Sequence, residues 1–554
     1  MLKIYNTLTK KKEEFKPIED GKIKFYHCGP TVYWVQHIGN MRAMVLADLI
    51  NRSLRYLGYD VKLVRNYTDV GHLTSDEDEG EDKLEKGARR ENKTPQEIAE
   101  KYIKVFEDDI RDLNVLEPEV KPRATEHVKE IIEMVKTLLE KGCAYTTDLA
   151  VYFDVSKAKD YTRLSGQVLE KNISEAGKGE VSDKNKKQPA DFALWFFKAG
   201  KHKNALQFWE SPFESPLVEN GEGFPGWAIE CSAMSKKYLG NTLDLHMGGV
   251  EHIPVHHTNE IAQSESANGV KFVNYWLHNE HLNVNGGKMS KSEGTAWSLA
   301  EIKEKGYDPL VLRYFFLGSH YRSKQNFTWE ALDAAEVSLR KLRERIIEMR
   351  KGSEGRKEGV ERRQTILNYP LDKKRHSEPR MLRGEESHGA RNGCGNAHFA
   401  AGSFTPQSGV QDDANLNSPL SRGEIKRKFI EAVEDDFNIP RALAVMWEAF
   451  KSDLDDKEKL ELVFDFDRVF GLRIEEVKEV KEELPEEVMA LVQAREAARS
   501  AKDWARADEI RDKILNLGFS VEDTEKEAVV KRVKKEQSRR EKKVKKAERA
   551  GCSI

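Results

Sequence analysis

The hydrophobic pattern near the start of the chain alternates at first and then takes a helical period. Residues 22–28 alternate between apolar and polar side chains, which predicts a strand. The apolar positions that follow recur every three or four residues as far as Gly58, which predicts a helix, and residues 61–64 predict a second strand. A strand–helix–strand opening is typical of a parallel α/β sheet, in which ligands bind at the C-terminal ends of the strands.

The pattern changes several times along the rest of the chain. Residues 98–143 have a helical period, whereas residues 144–225 mix apolar stretches with Gly- and Pro-bearing turns and are predicted to be an insertion. Strand-like stretches return near 242–246 and 272–277. Beyond residue 328 nearly all of the sequence predicts amphipathic helix. We therefore expect an α/β protein with an all-α region after it.

One long segment fits neither pattern. Residues 368–423 contain seven Gly and four Pro among 56 residues, and they have few aliphatic side chains and no period. A connection of this length without a hydrophobic period is usually disordered. We predict an exposed insertion there with no catalytic role.

Composition narrows the class of protein. The 554 residues correspond to three or four domains at about 150 residues each. No apolar run approaches the roughly 18 residues of a membrane helix, and the first residues lack the apolar core of a signal peptide. The five cysteines are scattered, which indicates a reducing cytoplasm instead of a disulfide framework. We expect a cytoplasmic enzyme, and we predict a monomer.

Charge is distributed unevenly. The formal net charge is −3, which excludes a protein that is basic over its whole surface. Residues 525–554 carry +7, however, so the remainder carries −10. A basic end on an acidic body is suited to a polyanion, although a solubilising charged helix would have the same composition.

The first motif with candidate chemistry is HIGN, which follows the first strand and opens the first helix. A helix N-terminus presents backbone N–H groups and a positive dipole to an anion. Gly39 would let a nucleotide approach closely, while His37 and Asn40 would donate to phosphate oxygens. A motif this short is weak evidence by itself.

The second motif is KMSKS, which comes after two glycines and before a third. Lys288 and Lys291 would stabilise the charge that develops on a transferring phosphoryl group. The alternative is an ordinary basic surface turn, which the pairing with HIGN disfavours.

Together the two motifs resemble the signature of class I aminoacyl-tRNA synthetases. YHCGPTVY around Cys28, GWAIECSAM around Cys231 and HHTNEIAQSE from His256 narrow the resemblance to cysteinyl-tRNA synthetases. The resemblance covers nearly the whole chain, apart from residues 368–423 and the C-terminal tail. It implies a Rossmann-like parallel-sheet catalytic domain with an inserted connective segment, then an all-α helical bundle and a small anticodon-binding domain.

The residue types also suit a metal. Cys28 ends the first strand, Cys231 lies in a second motif, and His256 and Glu260 share one helix face at a spacing of four. Two thiolates, an imidazole and a carboxylate suit Zn²⁺ and leave room for an exchangeable ligand. His257 is an alternative to His256 because it lies three residues before Glu260, and the resemblance favours His256.

Zinc would also explain the choice of amino acid. A free thiol has a pKa of about 8.5, which zinc lowers, and ligand softness separates cysteine from serine. A pocket alone separates such small side chains by only about 1–3 kcal/mol. The resemblance therefore implies one Zn²⁺ per chain, Mg²⁺ with ATP, and no editing domain. It also implies that Trp227 walls the amino-acid pocket and that Thr68 approaches the amino-acid backbone.

The C-terminal helices carry a third group of candidates. The resemblance implies that Arg499, Asp508 and Asp523 read bases of the tRNA anticodon and that Trp504 stacks on one. Composition alone would favour a solvated pair of amphipathic helices.

Two stretches depart from the family pattern. Residues 68–74, TDVGHLT, stand where many relatives have TDIDDKI. Met247 and Glu251 replace residues of the usual HGGGxD near the expected adenosine site, while Gly248 and Gly249 keep the close backbone approach that ATP needs. These departures affect nucleotide contacts and leave the predicted zinc ligands unchanged.

The pattern and the resemblance together predict the domain boundaries. They are 1–115 and 221–280 for the two halves of the catalytic domain, 116–220 for the connective insertion, 281–335 for the KMSKS loop and stem-contact region, 336–480 for the helical bundle, 481–525 for the anticodon-binding module, and 526–554 for the basic tail.

We therefore expect a ligase that uses ATP, L-cysteine and tRNA(Cys), with no membrane and no protein partner. A ligase that joins cysteine to an amino-sugar would share the core and the zinc but lack the anticodon module. A zinc-dependent RNA-binding protein without catalysis would not need KMSKS and HIGN.

Overall fold

The computed structural model describes residues 1–71, 83–166, 183–289, 294–353, 420–478, 485–523 and 528–532. Within these ranges, residues 1–353 and 421–478 form one compact unit, and residues 485–523 with 528–532 form a second. A search of the helices in these ranges finds none that is both long enough and apolar enough to cross a membrane.

The strands of the described residues are, in chain order, β1 Lys3–Asn6, β2 Lys11–Glu14, β3 Lys22–His27, β4 Asp60–Arg65, β5 Ala144–Thr146, β6 Ala150–Phe153, β7 Phe192–Phe197, β8 Gly223–Pro225, β9 Leu243–Gly249, β10 Val273–Asn279, β11 Leu282–Val284, β12 Gly287–Lys288, β13 Gln325–Phe327, β14 Phe519–Asp523 and β15 Ala528–Arg532. The helices are α1 Ile38–Tyr56, α2 Lys83–Glu91, α3 Pro95–Asp112, α4 Val128–Glu140, α5 Trp227–Leu239, α6 His256–Asn268, α7 Leu299–Glu304, α8 Pro309–Leu317, α9 Trp329–Ser353, α10 Arg422–Glu434, α11 Ile439–Lys451, α12 Asp456–Phe470, α13 Glu486–Ser500 and α14 Trp504–Asn516.

The predicted strand–helix–strand opening is confirmed by β3, α1 and β4. Ile23 and Phe25 are buried at alternate positions of β3, as the pattern requires. The apolar side chains of α1 are almost all buried, so the helix packs firmly in the core. It ends at Tyr56, and Gly58 follows with a φ of +95°, a conformation that favours glycine.

The central sheet is parallel and has the order β10-β9-β3-β4. One half is β3-α1-β4 and the other is β9-α6-β10. The chain therefore leaves β3 toward one edge and leaves β9 toward the other. In such sheets the ligand site lies outside the C-terminal ends of the two strands at which the direction changes.

The segment between β4 and β9 contains an antiparallel sheet of order β5-β6-β7-β8. Every residue of β7 is buried, and the rings of Phe153 and Phe192 stack with centroids 5.0 Å apart. This sheet lies where the sequence predicts an inserted connective segment, and β8 extends it just beyond residue 220.

Strands β11 and β12 form a hairpin, and β13 pairs with β11 in parallel. The hairpin leads into the KMSKS motif, of which Lys288 and Met289 are described, while residues 290–293 lie outside the described residues. Ser298 then caps α7 by accepting from the Glu301 N–H at 3.3 Å.

Helices α9 to α12 confirm the predicted helical region. The rings of Phe429 and Phe466 stack in its core with centroids 3.9 Å apart. Residues 368–419 of the predicted insertion lie outside the described residues. Its last residues differ from the prediction, because Ser421 caps α10 and the helix begins at Arg422.

The buried carboxylate of Asp436 joins these helices to the sheet region. It accepts hydrogen bonds from the Tyr5 N–H, the Tyr321 hydroxyl and the Arg322 Nε, each at 2.8 Å. Asp436 and Phe437 both have positive φ angles, +59° and +54°. The turn between α10 and α11 is thus held by specific side-chain bonds in a conformation that non-glycine residues seldom adopt.

The second unit consists of α13, α14 and a β14–β15 hairpin. The sequence predicted only helix here. Val521 and Val530 pair across the hairpin and are buried. The apolar residues of these two strands are few and lie among charged residues, so the sequence shows little of the alternation that predicts a strand. Strand β15 also occupies residues 528–532, which were assigned to the basic tail.

Candidate metal and nucleotide site

Cys28 lies at the change of direction in the central sheet. It follows β3 directly, and its N–H donates to the Met247 carbonyl of β9 at 3.2 Å. Its thiol therefore lies at the edge where ligands bind in parallel α/β sheets.

The loop after Cys28 is fixed by the end of β4. The Gly29 N–H donates to Asn66 Oδ1 at 2.9 Å, and a Cβ at position 29 would overlap the Asn66 carbonyl oxygen. Pro30 and Thr68 are joined by a backbone bond of 3.1 Å. Position 29 thus requires glycine, because any side chain would push the Cys28 loop away from β4.

Two helices bring the other predicted metal ligands to Cys28. Cys231 lies in the second turn of α5, and His256 and Glu260 lie one turn apart in α6. His256 Nε2 is 2.9 Å from Glu260 Oε1 and 3.8 Å from Cys28 Sγ. The four ligand atoms lie within 4.8 Å of one another, and all four residues are buried. The predicted ligands therefore come together as a group that could hold one metal ion.

His257 also points into this cluster. Its Nε2 is 3.4 Å from Cys28 Sγ, and a second possible metal-binding group consists of Cys28, His246, His257 and Glu260. Only the group with His256 contains Cys231. Both histidines flank Cys28, so spacing along the helix alone could not separate them.

The cluster changes the acidity of its members. Burial raises the pKa of Cys28 well above its ordinary value, whereas a hydrogen bond from Cys28 lowers that of Cys231. Burial would raise the pKa of Glu260, but His246 and His256 outweigh it and lower the pKa to about 2. The carboxylate is thus charged and available as a metal ligand.

Two further histidines, His246 and His278, contact residues of the cluster. His246 Nε2 is 2.9 Å from Glu260 Oε2, so it orients the oxygen that does not face His256. His257 Nδ1 is 2.7 Å from His278 Nε2, and His278 Nδ1 is 2.8 Å from the Thr7 hydroxyl. Burial lowers the pKa of His257 and of His278 well below the ordinary value. Such partners fix the rotamers of metal ligands.

The predicted amino-acid residues lie beside the cluster. The Trp227 ring packs against the His256 ring with centroids 4.4 Å apart. The Thr68 hydroxyl donates to Glu230 Oε2 at 3.3 Å, and Glu230 precedes Cys231. Thr68 is thus buried among side chains that position the cluster, while Trp227 forms one wall of it.

The HIGN motif caps α1 with its own histidine. His37 Nδ1 accepts from the Asn40 N–H at 3.2 Å, which leaves the Nε2 of a neutral ring to carry the proton. The Ile38 N–H donates to the Trp297 carbonyl at 2.7 Å. Sequence reasoning expected the amides of this turn to face an anion, but two of them are bonded within the protein.

The nucleotide candidates differ in their surroundings. Lys288 is exposed at the end of β12, and Lys291 lies outside the described residues. A Cβ at Gly248 would lie 2.6 Å from both His252 Nδ1 and His257 Cε1. Gly248 therefore makes room for two imidazoles of the metal region, which is a different reason from the close nucleotide approach that the sequence suggested.

Gly249 also has a side chain next to it, that of Glu251. A Cβ there would overlap the carboxylate of Glu251, which is one of the departures from the family pattern. The Glu251 side chain is about half exposed and lies 3.7 Å from His281 Nδ1. An exposed carboxylate can move aside, so Gly249 remains a candidate for nucleotide contact, as Gly39 does.

The second unit presents an exposed aromatic side chain. Trp504 begins α14 and is 57% exposed, and the Arg499 guanidinium lies 5.6 Å from its ring centroid. Asp508 lies one turn further along α14 and is exposed. Asp523 ends β14, where its backbone pairs with Ala528. Three of the four anticodon candidates are therefore on or beside one short helix.

Comparison with protein-family models matches residues 14–337 to the catalytic domain of class I tRNA synthetases of the cysteine type and residues 481–530 to the cysteinyl-tRNA ligase anticodon-binding domain. A cysteine–tRNA ligase of Treponema denticola is 40% identical over 94% of this chain and 98% of its own length. The chain belongs to the cysteine–tRNA ligase family. The resemblance inferred from the motifs is thereby confirmed.

Other relatives agree with this membership. A cysteine–tRNA ligase of Burkholderia lata is also 40% identical, over 94% of this chain and 95% of its own length. Among solved structures, methionyl-tRNA synthetase of Mycobacterium tuberculosis bound by methionyl-adenylate covers 82% of this chain and 90% of its own, at 13% identity and a TM-score of 0.47. That structural likeness is too low to add to the family assignment.

This member of the cysteine–tRNA ligase family contains site residues that sequence reasoning missed. Asn66, Glu230 and His278 lie in no spacing that predicts a metal site, since they come from a strand end, a helix and another strand end. His246 and His252 could have been noticed, because five histidines fall between residues 246 and 278.

Proposed function

We propose that this chain joins the carboxylate of L-cysteine to the α-phosphate of ATP, releasing pyrophosphate, and then transfers the cysteinyl group to the 3′-terminal adenosine of tRNA(Cys), releasing AMP. The observation that carries the proposal is the buried group of Cys28, Cys231, His256 and Glu260 at the ligand edge of the sheet. We place this activity in the cytoplasm, where thiol ligands stay reduced.

Cys28, Cys231, His256 and Glu260 would hold one Zn²⁺, because thiolate, imidazole and carboxylate donors suit that ion. When bound, the ion supplies Lewis acidity that lowers the pKa of a thiol and prefers sulfur to a hydroxyl oxygen. Trp227 excludes water from this corner. Asn66 and Glu230 keep the loop and helix that carry the ligands in place through Gly29 and Thr68.

ATP would bind at the opening of α1, together with Mg²⁺. In this proposal His37 donates its Nε2–H to a phosphate oxygen, and Asn40, Lys288 and Lys291 add donors as negative charge grows on the phosphates. Gly39 and Gly249 are the proposed positions of close backbone approach to the nucleotide, while Gly248 makes room for His252 and His257. The protein needs no covalent nucleophile, because the cysteine carboxylate itself attacks the α-phosphorus.

The tRNA anticodon would bind the second unit. The Trp504 ring is exposed and can stack on a base, and the Arg499 guanidinium lies 5.6 Å from the centroid of that ring. Arg499, Asp508 and Asp523 would contact base edges of the single-stranded loop, which is where proteins read RNA sequence.

The first experiment measures cysteine-dependent exchange of pyrophosphate into ATP without tRNA. The expected result is exchange with cysteine and almost none with serine. Absence of exchange in a zinc-loaded sample would contradict the proposal and favour an RNA-binding protein without catalysis.

A second experiment supplies tRNA(Cys) transcript and labelled cysteine. Transfer to the transcript supports the proposal, whereas exchange without transfer would favour the amino-sugar ligase. X-ray absorption at the zinc edge, with and without cysteine, then tests the ligand set. One additional sulfur in the presence of cysteine is expected, and an unchanged sulfur count would contradict direct recognition of the thiol.

A further inference from the structure

The segment that carries Thr68 continues beyond the end of β4, over residues 66–70. One side of it is held by the loop after β3. The Thr68 N–H donates to the Pro30 carbonyl at 3.1 Å, and the Thr68 carbonyl accepts from the Val32 N–H at 3.2 Å. The backbone of Thr68 is therefore joined to the loop that contains the first metal ligand.

The residues on either side of Thr68 are held by the connective insertion. The Tyr67 N–H donates to the Pro122 carbonyl at 2.8 Å, and the Tyr67 carbonyl accepts from the Ala124 N–H at 3.2 Å. Val70 is fully buried in an apolar cluster that includes Tyr152 of β6. The insertion thus contacts this segment both before and after Thr68.

Asp69 is bonded to the insertion by its side chain and by its backbone. The buried Asp69 carboxylate accepts from Thr125 twice, at Oδ1 from the N–H at 2.9 Å and at Oδ2 from the hydroxyl at 2.7 Å. The Asp69 carbonyl accepts from Gln207 Nε2 at 3.1 Å. Thr125 lies just before α4, and Gln207 lies between β7 and β8. Two separate parts of the insertion therefore meet at the residue next to Thr68.

The two kinds of bond to Asp69 differ in strength. Burial raises the pKa of Asp69, and the two bonds from Thr125 oppose that effect, so they favour the charged carboxylate. Hydrogen bonds to a charged group are stronger than those between neutral groups. Thr125 should therefore hold Asp69 more firmly than Gln207 does.

We propose that the connective insertion is part of the amino-acid site, and that Asp69 is the positioning residue through which it acts. Thr125 and Gln207 hold Asp69, and Asp69 keeps the neighbouring Thr68 where it meets the backbone of cysteine. This inference rests on the proposed function for the role of Thr68, but the hold on residues 66–70 can be tested without any activity.

The first experiment measures hydrogen–deuterium exchange in peptides that cover residues 66–70 of the Thr125→Val variant. Valine has nearly the size of threonine but lacks the hydroxyl, so Asp69 loses its 2.7 Å bond. The amides of these peptides should exchange about three- to tenfold faster, because local opening becomes easier. Amide exchange at the wild-type rate would overturn the inference whether or not the chain is an active ligase.

Thr137→Val is the matched control for this substitution. The Thr137 hydroxyl donates to the Glu133 carbonyl at 2.8 Å within α4, so this change also removes one hydroxyl bond from the insertion. It should leave the amide exchange of residues 66–70 and the affinity for cysteine as in the wild type. Thr125→Ser keeps a hydroxyl and should restore most of both. Equal effects of Thr137→Val and Thr125→Val would overturn the inference, because they would show a general loosening of the insertion.

The second experiment combines calorimetric titration of the zinc-loaded chain with cysteine and the kinetics of pyrophosphate exchange. Thr125→Val should raise the Kd and the KM for cysteine about five- to twentyfold. The kcat and the KM for ATP should be nearly unchanged, because Thr68 contacts a part of cysteine that does not react. Gln207→Met should raise the same two constants only about two- to fivefold, since the bond that it removes is neutral. Zinc content should be that of the wild type in both variants.

The opposite kinetic pattern would overturn the inference. A lower kcat with an unchanged KM for cysteine would show that Thr125 acts on the reacting groups and not on the binding of cysteine. Loss of zinc from Thr125→Val would overturn the inference as well, because the insertion would then support the metal cluster. Lack of pyrophosphate exchange by the wild-type chain would instead reject the proposed function, and the calorimetric affinities and the amide exchange would still decide the inference.

Discussion

The metal cluster of the first unit and the exposed face of the second unit hold their functional side chains in opposite ways. Cys28, Cys231, His256 and Glu260 are all buried, and each is fixed by bonds to its neighbours. Trp504, in contrast, is 57% exposed and begins a helix.

The difference agrees with the size and hydration of the two ligands that we propose for these sites. A metal ion with a small amino acid must be stripped of water, so its donors need to be arranged and desolvated before it arrives. An RNA loop brings its own flat surfaces, and an exposed ring can stack on a base without rearrangement. A change in the buried cluster should therefore affect stability, metal and every catalytic step, whereas a change on the exposed face should affect one step.

The largest effect is expected for Cys231→Ser. The hydroxyl is a much poorer zinc ligand than a thiolate, so the variant should lose most of its zinc to a chelator and should lose cysteine binding with it. Metal analysis and calorimetric titration with cysteine measure both. Cys143→Ser is the control, because Cys143 is partly exposed and lies outside the cluster. Full zinc occupancy in Cys231→Ser would remove Cys231 from the ligand set.

The next effect is expected for Lys291→Ala. If the Lys291 ammonium acts mainly on charge that develops during phosphoryl transfer, kcat for exchange should fall by on the order of 10²- to 10³-fold while cysteine still binds. Zinc content and thermal midpoint should not change, unlike those of Cys231→Ser. A variant that only raises the KM for ATP would show that Lys291 binds the ground state and would contradict this role.

A smaller and more selective effect is expected for Trp504→Ala. Stacking of a base on an aromatic ring contributes about 1–3 kcal/mol, so kcat/KM for tRNA should fall by about 5- to 150-fold. Pyrophosphate exchange without tRNA should stay as in the wild type. Leu517→Ala offers a control, since Leu517 is an exposed apolar residue of the same unit. Equal losses in the two variants would contradict a specific role for the indole ring.

The smallest effect tests whether burial of a charge by itself marks a functional residue. Burial raises the pKa of Asp109 in α3 to about 7; Lys303 opposes this, and Asp112 and Asp108 add to it. The stability that this group contributes is therefore complete below its unfolded pKa, near 4, and is lost as the pH rises through about 7. At pH 8 the free energy of unfolding of Asp109→Asn should exceed that of the wild type by about 1–3 kcal/mol, and this difference should disappear toward pH 4.

Urea unfolding at several pH values, together with exchange activity, measures this prediction. Asp108→Asn is the control on the same helix. The Asp108 carboxylate accepts from Arg111 Nη1 at 2.7 Å, so its replacement should lower the free energy of unfolding. A pH-independent difference between Asp109→Asn and the wild type would contradict the raised pKa. Unchanged exchange activity in Asp109→Asn would show that a buried titratable group can affect stability without taking part in the reaction.

The regular elements of the core could be predicted because their patterns are local. The alternation in β3 and the helical period of α1 lie within single stretches of sequence, and their bounds agree with the structure to within a few residues. The grouping of Cys28, Cys231, His256 and Glu260 could also be predicted, since each lies in a distinctive motif. The β14–β15 hairpin was missed because its few apolar residues lie among charges that a helix would also carry.

The reasons behind individual residues depend on packing and could not be predicted. Gly248 accommodates His252 and His257, which come from beyond the end of its own strand. Asn66 fixes the Cys28 loop across almost forty residues of sequence. The His37 capping bond needs a backbone conformation that the letters HIGN do not specify.

The position of Cys28 also has a consequence for the order of folding. The chain between β3 and β9 runs from residue 28 to residue 242, and it includes the whole antiparallel insertion. A ribosome releases the N-terminal strand well before its neighbour in the sheet exists, and pairing across such a separation is slow. The Cys28 thiol is therefore synthesised before Cys231 of α5 and before His256 and Glu260 of α6, and it remains unprotected until these helices have been made. Until then the thiol is exposed to oxidation, so synthesis in a reducing compartment would protect it.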